Sequence, residues 1–191
     1  NIMTDPMSTG IDAIQNFYGF VEKEKGGTVS AFVVSVNDES DFTAFASRMF
    51  PDRTVEDVGK CNYIDIDDNR GIAWNKEAAL YISTSEVDVR AYAEELFAQQ
   101  ESESIKEDTS FTNFNAKKFD AGLWTNNERL KVLNVETSPL AMIGMAEGNS
   151  QFFLRFEQNE IVTEYIAPKS TQTSIFKSAG PPASDLASLC T

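Results

Sequence analysis

Residues 16–36, NFYGFVEKEKGGTVSAFVVSV, decide the fold class. Asn16 to Glu22 and Thr28 to Val36 are rich in aromatic and β-branched residues, which suit a pleated, packed backbone. Lys25-Gly26-Gly27 between them supplies the positive φ angles of a tight turn, so the stretch predicts a β-hairpin. Just downstream, Asn37 or Asp38 can cap a helix whose apolar residues Phe42, Phe45, Ala46 and Met49 fall at i, i+3, i+4 and i+7. Pro51, which cannot donate a helical hydrogen bond, ends it.

The same reading extends along the chain. Cys61–Asp67, Gly71–Asn75 and Ala78–Ser83 predict three short strands joined by brief polar turns. Ser85, with Asp88 three residues on, has the spacing of a capping box, and Val89, Tyr92, Ala93 and Leu96 form the buried stripe of a helix running to about Gln99. The acidic stretch Glu101 to Asp108 reads as an exposed loop, with a seam near 101–110. From Phe111 to Leu133 the aromatic spacing predicts two or three short helices, interrupted at Gly122 and Asn126-Asn127. Leu140–Glu147, Gln151–Glu157 and Glu160–Ala167 predict a second meander, with turns at Gly148-Asn149 and Gln158-Asn159. Beyond Pro168 a Ser/Thr/Pro-rich composition predicts a tail or linker over 168–191. The expected architecture is α+β: antiparallel β-meanders packed against several helices in one domain over residues 1–167.

Composition removes much catalytic chemistry. The 191 residues include no histidine and two cysteines, Cys61 and Cys190. Histidine relays and histidine-ligated zinc are therefore excluded, and no CxxC pair suggests a structural metal. Cys61, opening a strand, reads as a buried thiol; whether it pairs with Cys190 is open. Thirty acids against 16 bases give a net charge of −14, a field that repels phosphate backbones, so nucleic acid is not an expected partner. The surplus is concentrated: nine acids against three bases over 37–68, and eight against two over 85–108. Solvated faces are the plain reading, and a surface for a cationic partner or calcium the sharper one. No apolar run approaches the roughly 20 residues of a transmembrane helix. The termini, Asn1-Ile2-Met3-Thr4 and Leu189-Cys190-Thr191, read as those of a processed or truncated piece.

Three constellations remain. Asp65, Asp67 and Asn69 stand at first, third and fifth positions of a polar loop, the spacing by which calcium loops collect oxygen ligands. Arg70 and Lys76, however, replace the Gly and Glu that an EF-hand requires, and a hairpin turn explains the same residues. Calcium is the one cofactor this loop suggests. Trp74 and Trp124, with Tyr18, Tyr63 and Tyr165, could stack against sugar rings, although core packing accounts for most such residues. An acid pair could serve a carboxylate-based hydrolase acting on glycans, but no pair among the 30 acids is singled out. Phosphate-binding loops and nucleophile elbows are missing from the sequence.

Thr9-Gly10-Ile11-Asp12 before an aromatic strand, and Gly71-Ile72-Ala73-Trp74 before Ala79-Leu80-Tyr81, resemble an uncharacterised domain family of Bacteroidetes lipoproteins. The order of elements agrees, with Ala31-Phe32-Val33-Val34 of the hairpin leading to Asp41-Phe42 of the helix and then the meander. The resemblance covers about residues 1–166. It implies a domain of unknown function in a cell-envelope protein, in the periplasm or at the cell surface, anchored through an upstream lipidated cysteine. It carries no catalytic residues. The expected role is a non-enzymatic interaction or structural module whose partner is an envelope protein or glycan; the alternatives are the hydrolase and a calcium-stabilised binding domain.

Overall fold

In the computed structural model, residues 6–24, 26–100, 102, 104–132 and 148–167 are described. Strands β1 (Tyr18–Glu24) and β2 (Gly27–Ser35) form the expected hairpin, its pairing closing at Glu24↔Gly27 with Gly26 at φ 91°. Helix α1 (Glu39–Met49) starts where the Asp38 carboxylate accepts the Asp41 N–H at 2.9 Å. It stops two residues before Pro51. A short strand β3 (Glu56–Asp57) precedes β4 (Asn62–Asp67), β5 (Arg70–Trp74) and β6 (Ala78–Ser85).

These six strands make one antiparallel sheet in the order β1-β2-β6-β5-β4-β3. Helix α2 (Val89–Ala98) follows. Its N-cap is Asp88, not Ser85: Ser85 stays in β6, where its hydroxyl accepts the Thr28 N–H at 3.1 Å, while Asp88 accepts from Ala91 at 2.9 Å. The capping-box spacing was present, but strand pairing claimed its first residue.

Both faces of the sheet are covered. On one, α2 lays Val89, Tyr92 and Ala93 over Val29, Ala31, Tyr63, Ala73, Leu80 and Ile82, and Tyr92 donates to the Glu22 carboxylate on β1. On the other, α1 lays Phe42 and Ala46 over Ile64, Trp74 and Ala79. This explains why Ile72–Trp74 reads as an unbroken apolar run instead of an alternating pattern: successive side chains enter different cores. Helix α1 does not reach the β1–β2 end of its face. There Phe32 (67% exposed) stands opposite Gly19 on β1 and Tyr81 (37%) on β6, and Val21 (58%) continues the same face.

A second, three-stranded antiparallel sheet has the order β7-β8-β9. A 3₁₀ turn (Ile105–Glu107) leads into α3 (Thr109–Asn115), then come β7 (Ala121–Asn126), α4 (Asn127–Val132), β8 (Asn149–Glu157) and β9 (Glu160–Ile166). Of the two or three short helices expected over 111–133, α3 and α4 are present, and the stretch between them is corrected by β7. Its Gly122 is no interruption: a Cβ there would stand 2.7 Å from the Phe114 ring and 2.9 Å from that of Phe119. The strand needs a residue without a side chain where these rings press, and Phe114, Phe119 and Phe153 pack together at centroid separations of 5.0–5.5 Å.

At the start of this sheet, buried Thr125, Asn127 and Ser150 satisfy one another: Thr125 donates to Asn127 Oδ1 at 2.9 Å, and Asn127 Nδ2 donates to Ser150 Oγ at 2.9 Å. Helix α4 lies against β1 and joins the two sheets. The turn at Gln158-Asn159 is present, with Asn159 at φ 71°. The predicted strand Leu140–Glu147, the tail 168–191 and Cys190 lie outside the described residues.

Candidate functional site

The two acidic stretches of the sequence meet at one place. Strand β4 carries Tyr63 and Asp65 on the face that α2 covers, and the β4–β5 turn adds Asp68. Glu56 stands beside Tyr63 across the β3–β4 pairing, and the start of α2 contributes Asp88, Val89 and Arg90. Together they line an open hollow of about 330 Å³.

Its charges are unequally satisfied. Arg90 pairs with Glu56 at 2.8 Å and with Glu94 at 3.4 Å, and Asp88 is engaged as the α2 cap. Asp65 and Asp68, among the described residues, have neither an ion-pair nor a hydrogen-bond partner for their carboxylates. The floor is Tyr63, only 3% exposed, whose ring passes over Gly71 so closely that a Cβ there would stand 2.6 Å from the hydroxyl. Burial pushes this phenol up to about 12, with the Asp65 and Asp88 charges adding to the shift. No hydrogen bond to the Tyr63 hydroxyl is found among the described residues.

The predicted calcium ligands meet different neighbours in this arrangement. The Asp67 carboxylate accepts from Arg70 Nε at 2.7 Å and from the Asn69 N–H at 3.0 Å, which lowers its pKa through the Arg70 hydrogen bond first. Asn69 accepts the Thr84 N–H through its carbonyl. Asp65 belongs to the hollow instead. Among the described residues no three Asp, Glu or Cys side chains are gathered so as to hold a metal.

Neither tryptophan lines the hollow. Trp74 is 0% exposed, with its Nε1 donating to Thr43 Oγ1 at 3.0 Å. Trp124 is half-buried edge-on against Phe111, donating to Ser110 Oγ at 3.0 Å. The aromatic side chains that do meet solvent on the large sheet are Phe32 and Tyr81, with Tyr18 on β1, and Phe17 just before β1. Sequence reading missed Phe32 because its run looked like an ordinary core strand. It missed Glu56, Asp88 and Arg90 as site residues too, although the acid surplus over 37–68 and 85–108 was their signal.

Cys61 is a free, buried thiol, raised to about 11 by burial and then by Glu94 and Asp57. Its ordinary value is 9.0, so the protonated thiol favours the fold below that pH, and the contribution is lost as pH rises through 11. In a Cys190→Ser background at pH 8, the unfolded protein is expected to react with a disulfide reagent about 100-fold faster than the native one. Equal rates would show that Cys61 is open to solvent.

The fold and hollow define a class: an acidic α+β domain built of two antiparallel sheets. The family model described as Domain of unknown function (DUF4836) matches residues 1–180, and the chain belongs to that family. No curated protein and no solved structure matches it. Among the described residues no helix is long and apolar enough to cross a membrane.

Proposed function

We propose that this chain is a non-enzymatic interaction module of the cell envelope, in the manner of the Bacteroidetes lipoproteins it resembles, and that it works through contact with another protein. The observation that carries the proposal is the uncovered apolar end of the large sheet, where Val21, Phe32 and Tyr81 lie side by side in solvent. Contiguous apolar surface on an otherwise strongly acidic domain marks a place where another surface is received.

The acids support the non-enzymatic reading. Among the described residues, the carboxylates whose ionisation is displaced, Asp38, Asp67, Asp108 and Glu164, are all displaced downward, chiefly by hydrogen bonds from Ser40, Arg70, Ser110 and Lys117. A glycosidase's general acid needs the opposite shift.

The test is sedimentation with isolated envelope fractions. The wild-type domain is expected to co-sediment with envelopes, and to do so far less after the envelopes are treated with protease. A Val21→Asn/Phe32→Asn variant with an unchanged circular dichroism spectrum is expected to stay in the supernatant. Binding that survives protease but not glycan removal would reassign the ligand to glycan, and binding indifferent to the double variant would remove this face from the interaction.

A further inference from the structure

We infer that the hollow between α2 and the β4–β5 turn receives a basic side chain, Lys or Arg, of a partner polypeptide. The inference rests on the proposed role in protein contact, but it concerns a different surface from the Phe32 face. Two observations carry it independently. First, four carboxylates surround the opening, from Glu56, Asp65, Asp68 and Asp88, and the one cation among them, Arg90, is already held by Glu56 and Glu94. Asp65 and Asp68 are left with no partner among the described residues. Second, the floor holds the hydroxyl of Tyr63, a side chain 97% removed from solvent, with no hydrogen bond among the described residues although it lines an open cavity.

With no protein partner among the described residues, the hydroxyl in this open hollow has its oxygen available to a group that enters. The oxygen can accept from an N–H donor while the carboxylates above neutralise the donor's charge. An ammonium or guanidinium at the end of a flexible alkyl stem meets both needs. The apolar stem has its own neighbour in Val89 on the wall. A divalent ion is less well served, because the acids ring the mouth without three of them converging.

The experiment is a titration of the isotope-labelled domain, followed by amide resonances, with capped Ala-Lys-Ala and Ala-Arg-Ala peptides and a norleucine peptide as the uncharged control. Either basic peptide is expected to move the resonances of Tyr63, Asp65, Asp68 and Val89, while the norleucine peptide leaves them in place. Asp65→Asn with Asp68→Asn should weaken binding about tenfold, and Tyr63→Phe, which keeps the packed ring, about threefold. A control variant carrying Glu128→Gln on α4 and Glu160→Gln on β9, both exposed, changes net charge equally and should bind as wild type does. Equal weakening in the control would show that only the overall field attracts the peptide, and would overturn the inference. So would millimolar calcium chloride that moves the same resonances and displaces the peptide. Shifts at Val21 and Phe32 alone, or no shifts at all, would overturn the hollow as a site while leaving the envelope test of the sheet face to stand by itself.

Discussion

Replacing Trp74 by alanine is expected to destabilise the domain by about 3–5 kcal/mol, since removing a fully buried large aromatic side chain loses both its transfer free energy and the contacts around the space it leaves. Trp74 is 0% exposed and central to the α1 side of the sheet, with the Phe42 ring 5.5 Å away. The change would also strip Thr43 Oγ1 of its indole donor. In a chain of this size the loss corresponds to a melting point lower by about 10 °C. Urea denaturation followed by circular dichroism is the measurement. Trp74→Phe, which retains a ring, should lose much less and gives a graded value if the alanine variant fails to fold. A cost below about 1 kcal/mol for Trp74→Ala would contradict its place in the core.

The second large effect lies in the first hairpin, where two adjacent glycines are needed for different reasons. A Cβ on Gly27 would stand 1.8 Å from the Ser85 carbonyl oxygen and 3.0 Å from its carbon. Those are backbone atoms of β6, the strand to which β2 is paired, so they cannot swing aside as a side-chain tip can. Gly27→Ala should therefore force the β2–β6 ladder apart at its end and cost about 3 kcal/mol. Gly26 has nothing within 4 Å of such a Cβ, but it sits at φ 91°. Gly26→Ala should cost only about 1 kcal/mol, from the backbone conformation alone. Denaturation of the two variants side by side is the check, and equal costs would mean that the close approach to Ser85 does not exist.

Much of the fold was legible because its signals are local. The β1–β2 turn, the Asp38 cap, the Pro51 stop and the Gln158-Asn159 turn are each set by residues within a few positions of one another, and each stands where the spacing placed it. The reading failed at β7. Phe111 and Phe114 sit on a helix while Trp124 sits on a strand, and a one-dimensional spacing cannot tell one helical face from the edges of two elements that meet in space. Gly122 looked like a breaker because its true neighbours, the Phe114 and Phe119 rings, are known only after packing.

Sequence by itself determined the class of structure, the acidic character, the absence of histidine chemistry and the positions of the first hairpin, the last turn and the cap of α1, since these depend on composition and on neighbours in the chain. Tertiary structure decided the rest. It buried Trp74, left Phe32 in solvent, tied Asp67 to Arg70, and brought Asp65, Asp68 and Asp88 to one hollow with Tyr63. Which of two chemically similar residues is buried, and which charges find partners, depends on contacts between segments far apart in the chain, which α1 and α2 settled by covering some parts of the sheet and not others.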